Sequence, residues 1–240
     1  MADPAIPDLT ERLRIRRRRG RGRRMRPVLL SLVALLVAAS VAYVVRFSSV
    51  YDVRDVEVRG ATLVAPDDVR ARAGIASGVP LASVDPAAVA QRVAGLPPVG
   101  RAQVSRTWPH TITITVTQRT PVFQRVAGSH FQWVDGQGVI FHDSTTPVRD
   151  LLQVATPDVD NALLADVASV VQALPAELLG KVAGITAVTR DDIVLTLKDR
   201  RRIVWGSADS SALKGQVALA LLHVSARVYD VSSPQNPTSR

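Results

Sequence analysis

Apolar residues are distributed along this chain in three regimes. From Pro27 to Val45 (PVLLSLVALLVAASVAYVV) nineteen consecutive residues carry no charge, and Arg26 and Arg46 bracket them. At about 1.5 Å of rise per residue, such a helix reaches roughly 29 Å, close to the ~30 Å hydrocarbon core of a bilayer, and satisfies its backbone groups internally. The pattern predicts a single N-terminal transmembrane helix over 27–45. A cleaved signal peptide would have a shorter apolar region, about 7–15 residues, and a small-x-small site; Ala38-Ala39-Ser40 lies inside the run instead.

The second regime mixes periods of two and of 3.6. Val53 to Val58 alternates, with Val56 and Val58 on one face and Asp55 and Glu57 opposite, which predicts a strand. Pro66-Asp67-Asp68 opens a helix that runs to Ala73 before Gly74, and Asp85-Pro86 opens another that stops at Gly95. After Pro97-Pro98 come strands at Val104 to Trp108 and Thr111 to Thr117, joined by Pro109-His110. The second, TITITVT, puts Ile112, Ile114 and Val116 on one face. The order strand, helix, helix, strand, strand predicts a small α+β domain with both helices on one face of its sheet.

From Pro121 short strands dominate. They are predicted at Val122 to Val126, Phe131 to Val134 and Val139 to Phe141, the last after a tight turn at Asp135-Gly136-Gln137-Gly138. Asp160 caps an amphipathic helix with Leu163, Leu164, Val167, Val170, Val171 and Leu174 on its inner side. Strands follow at Ile185 to Val188, Ile193 to Lys198 and Arg202 to Trp205. A helix capped by Ser210 or Ser211 runs to about Val224, and a final strand spans Arg227 to Ser232. The fold class is therefore α+β: a membrane helix, a small mixed domain, then a β-rich domain whose C-terminal strand is predicted to be an exposed edge. The tail beyond it is expected to be flexible over 234–240.

Charge adds topology. The chain carries a net +9, of which residues 1–26 supply +7 from ten arginines against Asp3, Asp8 and Glu11. Basic residues flanking a first apolar helix stay in the cytoplasm, so the N-terminus is expected inside and the bulk of the chain outside. The excess charge is topogenic, so no nucleic-acid partner is expected; the Arg-rich tail, too poor in apolar residues to fold, is read as disordered. No cysteine is present, so disulfides and thiol chemistry are excluded.

Catalytic signatures are missing. His110, His130, His142 and His223 show no metal-ligand spacing, and the chain contains no G-x-S-x-G, P-loop or G-x-G-x-x-G. No cofactor, metal, small-molecule substrate or enzymatic activity is expected. An edge strand, in contrast, offers unpaired backbone groups to a partner strand, and Arg227 to Ser232 is the first choice for such a docking edge.

The sequence VRDVEVRGATLVAPDDV, then LPPVGRAQVSRTWPHTITITVTQRTPV, WVDGQGVIF and KGQVALALL before VYDVSSP resembles the FtsQ/DivIB family of bacterial cell-division proteins. The strand pair carrying Val104, Arg106, Trp108, Pro109, Thr111, Ile112, Ile114 and Val116, followed by Arg119, Pro121 and Val122, is the most specific part. The resemblance implies a POTRA (polypeptide-transport-associated) domain over about 51–119 and a β domain over about 120–233. It implies a non-catalytic scaffold in the plasma membrane at the division septum, with the bitopic proteins FtsB (or DivIC) and FtsL as partners. The contact surface carried over is Arg227, Val228, Tyr229, Asp230, Val231 and Ser232, with Lys214 on the preceding helix.

Two positions depart from the family pattern. Gln118 stands where a glutamate usually precedes the arginine of E-R-x-P, and SSPQNPTSR replaces a longer extension found in some relatives. The alternative reading is an exported POTRA-containing component of a secretion or envelope-assembly system, which tandem copies would favour; one copy is found.

Overall fold

The computed structural model describes residues 27–41, 43, 44, 51–157 and 159–240. The expected basic tail, residues 1–26, lies outside the described residues, as do Ala42, Val45 and the connector 46–50. Residues 27–41, 43 and 44 are helical (α1) with exposed apolar side chains. Among the described residues, no helix is long and apolar enough to cross a membrane.

A three-stranded sheet comes first, in the order β1-β3-β2, from β1 (Asp55–Arg59), β2 (Val99–Thr107) and β3 (Thr111–Gln118). Helices α2 (Pro66–Ala73) and α3 (Pro86–Ala94) lie between β1 and β2 in sequence and contact each other. Pro66 fits the first turn of α2, where an N–H has no intrahelical acceptor, and Gly74 ends it in the left-handed region at φ 61°. β2 begins at Val99, five residues before the sequence predicts. Its first half, Gly100, Arg101 and Gln103 among mostly exposed positions, has too little buried apolar periodicity to announce a strand.

By their contacts the residues form two compact units. The first draws on Met1–Val56, Ile75–Asp85 and Arg106–Ile112, and the second on Glu57–Gly74, Pro86–Ser105 and Thr113–Arg240. Within the first, Val53 exchanges backbone bonds with the 78–79 turn, donating to Val79 and accepting from Gly78 (2.9 and 3.0 Å). The Arg106 guanidinium, meanwhile, donates twice to the Val84 carbonyl (2.7 and 3.1 Å).

The second unit holds a nine-stranded mixed sheet in the order β12-β11-β10-β9-β8-β7-β4-β5-β6. Its strands are β4 (Phe123–Ala127), β5 (His130–Val134), β6 (Ile140–Ser144), β7 (Leu152–Ala155), β8 (Val182–Thr189), β9 (Asp192–Leu197), β10 (Arg202–Gly206), β11 (Val228–Asp230) and β12 (Thr238–Ser239). β7 pairs in parallel with β4 and β8, and β10 with β11. A parallel neighbour cannot be reached by a tight turn, so the chain returns through other elements: through β5 and β6 between β4 and β7, and through helices in the other two cases. α4 (Asn161–Ala173) and the single-turn α5 (Ala176–Leu179) join β7 to β8, and α6 (Ser211–Leu221) joins β10 to β11.

One core lies beneath these helices. Leu163, Leu164, Val167 and Val171 of α4 and Ala218 of α6 meet Ile193, Leu195 and Leu197 of β9, Ile203 and Trp205 of β10, and Tyr229 and Val231. α4 starts as expected: the Asp160 carboxylate accepts from the Ala162 N–H at 2.9 Å. α6 starts at one of the two expected serines but without the side-chain bond expected of a cap. Ser210 is its N-cap, in the left-handed region at φ 54°, and its side chain caps nothing. β7 and α5, only four residues each, carry no sequence period long enough to be read.

The C-terminal strand requires a correction. β11 is not the edge of the sheet. β10 lies on one side of it and β12 on the other, so the segment expected to be a loose tail supplies the outermost strand. β11 is also shorter than Arg227 to Ser232, because the Asp230 carboxylate turns back to accept from the Ser232 N–H (3.0 Å) and hydroxyl (2.6 Å), ending the extended run.

Candidate protein-docking site

The residues singled out from sequence converge at the β11 end of the sheet, but they are not alike. Tyr229 and Val231 are fully buried, whereas Arg227 and Ser232 are exposed, and Val228 and Asp230 lie between. This alternation follows from the strand period of two: residues 229 and 231 face the helices. Burial of the Tyr229 ring requires partners for its hydroxyl. The hydroxyl donates to the Val224 carbonyl (2.7 Å) and accepts from the Arg201 guanidinium (2.7 Å). Arg201 is in turn held by Asp199 (2.8 Å) and by the Leu222 carbonyl (3.2 Å). The Asp199 carboxylate lies below its ordinary range, first through the Arg201 backbone N–H and then through the Arg201 side chain.

The two backbone edges of β11 differ as well. Toward β10, the Arg227 carbonyl accepts from Arg202 N–H and Val231 N–H donates to Val204, both at 3.0 Å. Away from β10, the Arg227 and Val228 N–H groups donate to the Arg240 carbonyl (2.9 and 2.8 Å), and Arg240 N–H donates to Val228 (2.9 Å). The outward-facing groups are thus those of Val228, with Asp230 opposite Thr238 in register.

Lys214 stands apart from this surface. It is 2% exposed, and its ammonium donates to the Ser207 carbonyl at 2.9 Å. Loss of hydration lowers its pKa, while Asp209, Asp191 and Asp230 act in the opposite sense. From the interior it holds the loop between β10 and α6, next to Gly206, the last residue of β10, which has φ 73°. A Cβ there would come within 2.9 Å of the Ser232 Cβ. Lys214 therefore supports the end of β11 from behind.

The junction near Gln118 also has a defined geometry. In the amide orientation that satisfies both sides, Gln118 donates to the Thr62 hydroxyl and accepts from the Thr62 and Leu63 N–H groups, each at 2.6 Å. The charge at this junction belongs to its neighbour. Arg119 pairs with the buried Asp135 and donates to the Pro97 carbonyl (3.1 Å), while Asp135 accepts from Gln137 and Val139 N–H (2.9 Å each). Sequence reasoning placed Arg119 in a motif without assigning it this partner, gave Arg201 only a place in the charged turn Asp199 to Arg201, and missed β12.

Among the described residues, no group of three or more His, Asp or Glu is placed to hold a metal ion. The architecture is that of a mixed α+β protein with a three-stranded sheet and a nine-stranded sheet whose C-terminal end is β12. Two family models match it in succession: POTRA domain, FtsQ-type, over residues 52–119, and Cell division protein FtsQ/DivIB, C-terminal, over 124–232. The chain belongs to the FtsQ/DivIB family of cell-division proteins.

It is similar to Cell division protein FtsQ of Mycobacteroides abscessus, at 33% identity over 92% of this chain and 71% of that protein. It is similar also to FtsQ of Mycolicibacterium smegmatis, at 34% over 87% and 62%, and to FtsQ of Streptomyces venezuelae, at 30% over 89% and 83%. The solved extracytoplasmic domain of DivIB from Geobacillus stearothermophilus aligns with a TM-score of 0.35 at 18% identity, covering 45% of this chain and 98% of that one. These relatives are cell-division proteins, a family not known as enzymes.

Proposed function

We propose that this protein is a non-catalytic, membrane-anchored scaffold of the bacterial division machinery. Its anchor is the helix at 27–45 and its N-terminus is cytoplasmic; a POTRA domain over 51–119 and a β domain over 120–233 lie outside the membrane, at the septum. Its partners are small bitopic proteins of the FtsB/DivIC and FtsL type, docked by strand addition along β11. Family membership supports the division role, and the nineteen uncharged residues between arginines support the anchor.

The observation that carries the docking site is the composition of the sheet margin. Among the described residues β11 is followed by the two-residue strand β12, and the outward backbone groups of Val228 bond to Arg240. An added strand would take its affinity from those groups, and its specificity from Arg227, Asp230 and Ser232. Tyr229 and Val231 root the strand, and Lys214 supports it.

The test is Val228→Pro in the full chain, co-expressed with the two partners and purified from membranes. Proline removes the outward N–H and leaves the Arg227 carbonyl and Val231 N–H on β10 untouched. Loss of both partners from a normally folded variant is expected; unchanged recovery would sink strand addition at β11.

A further inference from the structure

The margin on which the proposed function rests is already occupied. Thr238, Ser239 and Arg240 run antiparallel to β11 and pair Asp230 with Thr238 and Tyr229 with Ser239. They use the same groups that a docking strand would use: the Arg240 carbonyl takes the Arg227 and Val228 N–H groups, and Arg240 N–H takes the Val228 carbonyl.

What holds them there is backbone alone. All three residues are exposed, and among the described residues none of their side chains makes a hydrogen bond or ion pair. β11 is rooted quite differently on its other side, by the buried Tyr229 and Val231 and by the bonds to β10. The connection 232–237 contains Pro234 and Pro237; Ser232 is bonded to the Asp230 carboxylate, and beyond it one turn bond runs from Asn236 N–H to the Ser233 carbonyl (3.0 Å). A two-residue strand with exposed side chains and no apolar anchor opens without disturbing the sheet behind it, because local opening is cheapest where few buried contacts are lost.

We propose that residues 238–240 are an intramolecular stand-in for the partner strand: a latch that keeps the β11 margin paired until a partner displaces it. An unlatched β11 margin, with the outward N–H and C=O groups of Val228 free, would template pairing with any extended chain, including a second copy of this protein. The latch removes that hazard. It also sets a threshold for binding, since the partner's apparent affinity is reduced by the fraction of molecules in which the latch is open. The strand that displaces it is antiparallel to β11 and extends the pairing beyond the two residues of β12; otherwise it would gain nothing over the latch. This inference rests on the docking site proposed above, and the experiment separates the two.

Full-length protein, its Arg240→Pro variant and its Val228→Pro variant are compared in two measurements. The first is backbone amide exchange of the purified chain without partners. Arg227 and Val228, held by Arg240, should exchange about tenfold or more faster than Val231, held by β10, as expected of a locally opening segment. Arg240→Pro, which removes the latch's own donor, should accelerate them further and leave Val231 unchanged. Equal rates at Val228 and Val231 would show that β12 opens only with the sheet and would overturn the latch.

The second is capture of the co-expressed FtsB-type and FtsL-type proteins at limiting partner concentration. Arg240→Pro should raise capture by up to about tenfold, the penalty removed when an open state populated about one part in ten becomes dominant. If Val228→Pro abolishes capture while Arg240→Pro leaves it unchanged or lowers it, the docking site stands and the latch falls. If folded Val228→Pro captures normally, the docking site itself falls, and the latch with it.

Discussion

The nine-stranded sheet ends in two different ways. At one end β4, β5 and β6 form an antiparallel meander, with β5 and β6 paired from Phe131↔Ser144 to Val134↔Ile140 and a register shift between Trp133 and Val134. Trp133 lies against His142 at a tilt (ring centroids 4.4 Å apart, planes at 55°) and meets Phe141 edge-on, and the outer strand carries Asp143, paired with His130. Charged residues on an edge strand discourage unwanted pairing, so this margin is protected by its own side chains. At the other end, β11 arrives by a long crossover and is closed through the backbone of the exposed residues 238–240, with no ion pair or ring contact on that outer strand among the described residues. One margin is finished by local chemistry, the other by a removable piece of backbone.

The difference predicts where damage should spread. Tyr229→Ala removes a buried ring and one of the partners of Arg201, so the loss of stability should be about 3–5 kcal/mol, concentrated at β10 and β11. Chemical denaturation of the full chain, with amide exchange resolved by strand, checks this; protection lost equally at β5 and β6 would erase the distinction between the two ends. Asp135→Ala acts on the opposite side, taking the acceptor from Arg119 and from two turn N–H groups. A loss of about 2 kcal/mol is expected for charge-assisted bonds in a partly buried setting, with β11 unaffected.

Lys214→Met is the smallest and the most diagnostic. The buried ammonium's pKa lies below its ordinary 10.5, so between that lowered value and 10.5 the unfolded chain holds more protons than the folded one. Wild-type stability should therefore gain on the Met variant as pH rises through this window. A pH-independent difference between the two would show that burial of Lys214 carries no electrostatic penalty.

What could be read from sequence depended on how each element is buried. β3 and α4 were legible because each sets a clean apolar face against a core, as Ile112, Ile114 and Val116 do in one and Leu164, Val167 and Val171 in the other. The first half of β2 was not, since exposed Arg101 and Gln103 leave no pattern. β12 could not have been read at all: two polar residues after Asn-Pro have no period, and only a pre-existing β11 gives them a place. Lys214 misled for a related reason, because a lysine in a helix reads as surface unless the loop that supplies its carbonyl partner is known. The residues of β11 were found, but their division into an inward pair, Tyr229 and Val231, and an outward-facing backbone came from the structure.

The crossover through α6 has a kinetic meaning. β8, β9 and β10 follow one another through short turns and can zip together by local contacts, whereas β11 pairs with β10 only after the chain between Gly206 and Val228 has been gathered into a helix and laid across the sheet. Tyr229 and Val231 are therefore the late closing contacts of the core. Until they dock, Trp205 lacks part of its cover, and a chain halted at that stage exposes its largest buried side chain.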